Sequence, residues 1–176
     1  MSQFLWSTDA HHSNIIFHVK HMLISTATGQ FKSFSIKAST EDDDFDGTHI
    51  NAIIAADSVS TNEVYRDEHL KSEAFFASKD YPNILFTSTQ FTRKDKDTFQ
   101  LNGKLTIKDV TKELTFPVQY IGLIAYNDHM RAAFEANFTI SRKAFNLTYS
   151  PLMETGGMVL ADEVSVRAHI SLVRQL

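Results

Sequence analysis

Three groups of residues in this chain have types and spacing that could do chemistry. Asp42, Asp44, Asp46 and Gly47 match the first half of an oxygen-ligand loop for calcium, D-x-D-x-D-G. The position that should supply the bidentate Glu is Ile53, and no helix pair flanks the loop, so a solvated acidic turn is the expected reading. Eight histidines could hold a metal: His11, His12, His18, His21, His49, His69, His129 and His169. None falls in an H-E-x-x-H frame, and both His11/His12 and His18/His21 diverge to opposite faces if extended. For nucleophilic catalysis the chain has no Cys and no G-x-S-x-G elbow, and its six glycines form no phosphate-cradling loop. Catalytic, metal and cofactor assignments are therefore none. Asn137-Phe138-Thr139 and Asn146-Leu147-Thr148 read as accidental glycosylation sequons.

The elements that would position any site are strands. Phe99, Leu101, Gly103, Leu105 and Ile107 alternate with polar residues, as do Leu114, Phe116, Val118 and Tyr120. The same period recurs in Ala132, Phe134, Ala136, Phe138, Ile140 and in Val164, Val166, Ala168, Ile170, Leu172. Shorter runs predict strands near 13–20, 31–38, 48–57 and 83–92, with turns at Asp46-Gly47, 94–97, Lys108-Asp109 and Asn127-Asp128. Asn102-Gly103 would ordinarily mark a hairpin, but the alternation runs through it in phase. Gly103 is therefore expected inside a strand, at a bend or where another group approaches closely. Residues 21–29 are ambiguous between strand and short helix. Ser60-Thr61-Asn62-Glu63 has the form of a capping box and predicts a helix over 64–71, while 141–162 is long enough for a lid or short helix.

Length and composition bound what these elements can build. A chain of 176 residues with 43% hydrophobic and 22% charged residues is one ordinary globular domain, taken as 1–176. Its net charge of −4 argues against nucleic acid as the main partner. No apolar run reaches membrane-span length, and no leader is evident. The expected location is therefore cytoplasmic, or periplasmic as a mature form. The composition is skewed toward Phe, with 14 copies against 5 Tyr and 1 Trp. About eight antiparallel strands on one core point to a sandwich or a closed barrel, and their length and short connections favour an all-β up-and-down barrel with one or two short helices. Such a barrel has room for packed side chains or one small ligand. Arg66, Asp67 and His69 would hold the helix in place, with Leu70, Phe75 and Phe76 docking on the barrel mouth or gating a cavity.

Ordered motifs then point to a family. Trp6, Asp9, His12 to His21 and Gly29-Gln30-Phe31 open the match, followed by Arg66 to Ser72, Phe75-Phe76 and Tyr81-Pro82-Asn83. Leu101 to Lys112, Ser141 to Leu147 and Asp162-Glu163-Val164 complete it, so that the chain resembles the YceI-like family of polyisoprenoid-binding proteins over nearly its whole length. The resemblance implies a lipocalin-like antiparallel barrel holding a long-chain isoprenoid lipid, either a polyprenyl lipid or an isoprenoid quinone, with no catalytic residues and with a homodimer as the assembly. Two departures stand against it: many relatives carry an export leader, which is not evident here, and Asn146 stands where relatives often have Gly. The expected ligand-lining residues are Phe17, Phe34, Ile36, Ile54, Leu70, Phe76, Phe86, Leu101, Leu105, Phe116, Phe134 and Phe138. Two other readings remain: a small-molecule enzyme using pocket His as acid and base, and a filled-core stress-response interaction protein.

Overall fold

A computed structural model describes residues 3–151 and 159–176. Strands are β1 (Phe4–Thr8), β2 (Asn14–His21), β3 (Ser25–Phe31), β4 (Phe34–Thr40), β5 (His49–Ala55) and β6 (Val59–Ser60). After helix α1 (Val64–Lys71) come β7 (Asn83–Arg93), β8 (Thr98–Ile107), β9 (Val110–Tyr126), β10 (His129–Ser141) and β11 (Leu160–Arg174). Every pairing is antiparallel, and β11 closes the sheet onto β1 through Trp6↔Arg174 and Thr8↔Leu172. Along its earlier length β11 pairs instead with β2, as in Val166↔Phe17.

These pairings make an eight-stave antiparallel barrel. Three staves are each built from two short strands: β1 with β2, β3 with β4, and β5 with β6. Their breaks lie side by side, at the 3-10 turn Ala10–His12, at Lys32-Ser33 and at the 3-10 turn Ala56–Ser58. Lys32 N donates to Ser58 O (3.1 Å) and Ala55 N to Ser33 O (3.0 Å), so backbone groups freed from the ladder by the bends bond each other. The strand expected over 31–38 is therefore broken after Phe31, because the bent staves must change direction there. The ambiguous stretch 21–29 is the β2–β3 hairpin, and β1 has no counterpart among the expected strands.

Period-two alternation becomes an inside and an outside. Phe99, Leu101, Gly103, Leu105 and Ile107 are all buried along β8, as the phase of that strand requires. Gly103 lies inside β8, paired with Ser88, and the Phe86 ring lies across it. Gly29 is covered in the same way by the ring of its cross-strand partner Phe17.

One end of the barrel is filled with aromatic rings. Trp6, Phe45 and Phe99 are fully buried there; the Phe45 ring stands 5.1 Å from Trp6 and 5.2 Å from Phe134, and Phe91 stacks on Phe99 at 4.4 Å. Phe45 comes from the acidic β4–β5 loop, which explains that loop's composition. Asp44 pairs with Arg93 (2.9 Å), Asp43 with Arg174 (2.9 Å), and Asp46 accepts the Arg93 backbone N–H (2.8 Å). The carboxylates thus tether a loop that pushes Phe45 into the barrel as a stopper.

Candidate functional site: an apolar cavity under a helix and a strap

At the other end α1 and the β10–β11 connection cover the barrel. Glu63 caps α1 itself, accepting from Tyr65 N (3.1 Å) and Arg66 N (2.7 Å). This corrects the expected capping box, in which Ser60 would be the cap; Ser60 is instead committed to β6, paired with Gln30. Arg66 and Asp67 both grip Thr61, through Arg66 Nε to Oγ1 (2.7 Å), Arg66 Nη2 to the carbonyl (2.9 Å) and Thr61 N to Asp67 Oδ1 (2.7 Å). His69 lies edge-on between Phe75 (5.1 Å) and Tyr149 (4.6 Å), joining the helix to the β10–β11 connection.

Arg142 holds that connection, and residue-by-residue reading missed its role. It is only 3% exposed, and its five N–H donors reach the carbonyls of Ala161, Leu147, Tyr149 and Leu160 and the Ser150 hydroxyl at 2.6–3.1 Å. Burial pushes the Arg142 guanidinium down from its usual value, opposed by the Asp162 charge. Burial would likewise raise the Asp162 carboxyl. Hydrogen bonds from Ser141 Oγ (2.7 Å) and Lys143 N (3.0 Å), with the Lys143 and Arg142 charges, bring it below the ordinary value. The Lys143–Phe145 turn ends at Asn146, which adopts the left-handed conformation (φ 60°, ψ 25°) that Gly or Asn takes most readily. The departure at 146 therefore preserves the local backbone. The remainder of the expected lid, 152–158, lies outside the described residues.

Between stopper and cover lies a cavity of about 260 Å³. Leu101 and Ile107 both line it, so it extends about 20 Å along β8 at the usual rise per residue. Eleven of the twelve expected lining residues face it: Phe17, Ile36, Ile54, Leu70, Phe76, Phe86, Leu101, Leu105, Phe116, Phe134 and Phe138. Phe34 does not. It shares the inward phase of Ile36, but sits at the stave break opposite Ile54, where it packs outside the lining and borders a surface recess with Lys32 and Ser33. Leu70, Phe75 and Phe76 both dock on the barrel mouth and line the cavity, so the two roles weighed for them coincide. The residues missed include Phe45, Arg142 and Leu147, which come from connections without periodic phase, and Ile15 and Val19, which share the inward phase of Phe17.

The wall is almost without polar groups. Of its described lining residues only Thr48 and Arg142 are polar, and Thr48 Oγ1 donates to Phe45 O (2.5 Å) while Arg142 is fully engaged as above. Among the described residues no His, Asp or Glu lines the cavity. The histidines lie elsewhere: His12 bonds Asp9 (2.8 Å), His18 bonds Thr28 (2.9 Å) and His169 approaches Glu135 (3.9 Å). Among the described residues no group of three or more His, Cys, Asp or Glu is placed to share a metal ion, and no helix is long and apolar enough to cross a membrane.

A model of the YceI-like domain matches residues 6–172. The chain belongs to the YceI-like family. It is 31% identical over 162 residues to a UPF0312 protein of Staphylococcus epidermidis, covering 91% of this chain and 92% of the relative. Among solved structures, BcnA of Burkholderia cenocepacia superposes with a TM-score of 0.81 at 24% identity, covering 93% of this YceI-like chain and 98% of that one. A polyisoprenoid binding domain from Saccharophagus degradans superposes with a TM-score of 0.73 at 15% identity, covering 95% and 97%. At those identities the two structures speak for the barrel fold.

Proposed function

We propose that this YceI-like barrel binds a long-chain isoprenoid lipid in its apolar interior and sequesters or carries it without chemical change. The observation that supports this most is a cavity about 20 Å long whose two polar residues among the described lining have their hydrogen bonds satisfied by the protein. A polyprenyl tail has no hydrogen-bonding groups along its length. Such a wall suits it, and would penalise a polar ligand through unmet donors and acceptors. Binding then rests on apolar area, at about 25 cal/mol per Å². Selection along the tail is weak, and length and headgroup decide which lipid is held. The family and the Saccharophagus degradans neighbour named for polyisoprenoid binding point the same way.

The cavity is slightly smaller than the roughly 300–1,000 Å³ of ordinary ligand pockets. A long tail would therefore enter only as lining rings rotate, or with its end emerging past α1. A filled core fits poorly, since 260 Å³ equals the volume of about nine waters. Acid–base catalysis by histidine has no group in the cavity to perform it. Native mass spectrometry after gentle purification, with organic extraction of the bound species, tests the proposal. A hydrophobic adduct identified as a prenyl lipid supports it. Repeated absence of an adduct, together with no uptake of prenyl quinones, overturns it.

A further inference from the structure

The β2–β3 hairpin is closed by Met22-Leu23-Ile24, between the His21↔Ser25 pair. These side chains are 47%, 70% and 91% exposed, three consecutive large apolar residues facing solvent. Met22 and Leu23 also adopt left-handed backbone, with φ of 55° and 65°. Tight turns of this kind favour Asn, Asp or Gly, and the β9–β10 hairpin obeys that preference with Asn127 (φ 51°) and Asp128 (φ 63°). The β2–β3 tip therefore carries apolar side chains where folding alone would select small polar ones. An exposed, strained apolar turn is a feature that folding leaves unexplained.

Its charge and position suggest what it meets. From Ala10 to Thr40 the chain has no Asp or Glu, although it carries −4 overall; the same stretch holds Lys20, Lys32, Lys37 and four His. All three lysines are exposed, and Lys20, paired with Thr26, stands beside the tip, whereas Lys32 lies at the stave break and Lys37 toward the stopper end. The tip stands beside the cavity cover: Met22 N donates to Val159 O (2.7 Å), and His21 pairs with Leu160, which lines the cavity together with Val19. A three-residue tip is too small for a stable protein interface of at least about 1,200 Å². A few apolar side chains beside a lysine, on a hairpin without acidic residues, are, however, the usual equipment for an anionic lipid interface.

We propose that the Met22-Leu23-Ile24 tip inserts into the interfacial region of an anionic lipid bilayer, with Lys20 drawn to its surface, and sets the cavity cover against the membrane. This rests on the lipid-binding reading, because a carrier of a membrane-resident lipid must reach the bilayer to load or unload. The test is co-sedimentation of the full chain with vesicles of phosphatidylcholine containing phosphatidylglycerol, against phosphatidylcholine alone. The double substitution Met22→Asn, Leu23→Gly suits the left-handed backbone, so folding is retained or improved and a loss of binding is attributable to the tip.

Wild type partitions to the anionic vesicles in a salt-sensitive manner. The double variant partitions at least tenfold less, equivalent to about 1.4 kcal/mol, while Lys20→Glu weakens partitioning and both variants still take up a prenyl quinone from detergent micelles. No association of wild type, or equal partition of wild type and the double variant, overturns the proposal. So does concentration-dependent dimerisation in sedimentation velocity that the double variant abolishes, without vesicle binding, since the tip is then an interface between copies. Failure of micellar uptake by wild type defeats the lipid-binding reading separately, and leaves the vesicle result to judge the tip alone.

Discussion

Replacing Gly103 by Ala probes how the barrel wall makes room for its rings. A Cβ at position 103 would overlap Phe86 Cζ and lie within 2.8 Å of both Phe86 Cε2 and Thr87 O. The ring must therefore swing toward the cavity, where Phe116 stands 6.1 Å from it. Overpacking of this kind costs about 1–3 kcal/mol, and the loss of glycine's freedom in the unfolded chain offsets about 0.4–1 kcal/mol of that. A net destabilisation of up to about 2.6 kcal/mol remains, which for a domain of this size lowers Tm by roughly 2–4 °C per kcal/mol. Urea and thermal unfolding of Gly103→Ala, Phe86→Leu and the double variant form the cycle. Because Phe86→Leu removes the ring edge but not Thr87 O, the Ala substitution should cost less in the Leu background, without becoming free. A stabilising Gly103→Ala, or an equal effect in both backgrounds, refutes the reasoning that the ring occupies the glycine's place.

The strap and its acid partner give further expectations. Arg142→Lys keeps the charge, but an ammonium has three donors in place of the five now engaged. It should lower stability by about 2–4 kcal/mol and speed amide exchange in 143–151, seen by urea titration and hydrogen exchange. Asp162 has its carboxyl held below the ordinary value in the fold, so its contribution is complete above the ordinary carboxylate range. That contribution is lost as pH falls through the depressed folded value. Asp162→Asn should therefore be less stable than wild type near neutrality, with the gap closing on acidification; denaturant midpoints across an acid series measure it.

Strands β8 and β10, and β11 from Val164, were legible because each keeps a single phase over many residues. Strands β7 and β9 were legible up to the bulges at Thr89 and Ile121, where their phase slips. The barrel follows from the number of strands and from the short turns between them. The first three staves were harder to read because bends interrupt their phase. β1 offers only Phe4, Trp6 and Thr8 before the 3-10 turn, and β3 contains Thr26, Thr28 and Gly29, which carry almost no hydrophobic signal. Gly103 was legible as a place of close approach because the alternation ran through it. The cavity wall was legible wherever strands supplied it, and Phe34 was misplaced because phase fixes a face but not a height along the barrel. Phe45 and Arg142 were not legible as wall or strap, since both act from connections. An acidic loop and a lone basic residue do not announce in one dimension that they fold inward.

The central claim is that the space between stopper and cover is where the lipid binds. Ala136 lines the cavity midway along β10, between Phe134 and Phe138, and pairs with Ala168 across the sheet. Equilibrium titration of wild type and Ala136→Phe with a long-chain prenyl quinone, each first shown to be folded by circular dichroism, tests it directly. The account predicts saturable binding to wild type and at least tenfold weaker binding to the filled variant, equivalent to about 1.4 kcal/mol. Equal affinity of the two proteins, or no binding by the folded wild type, contradicts it.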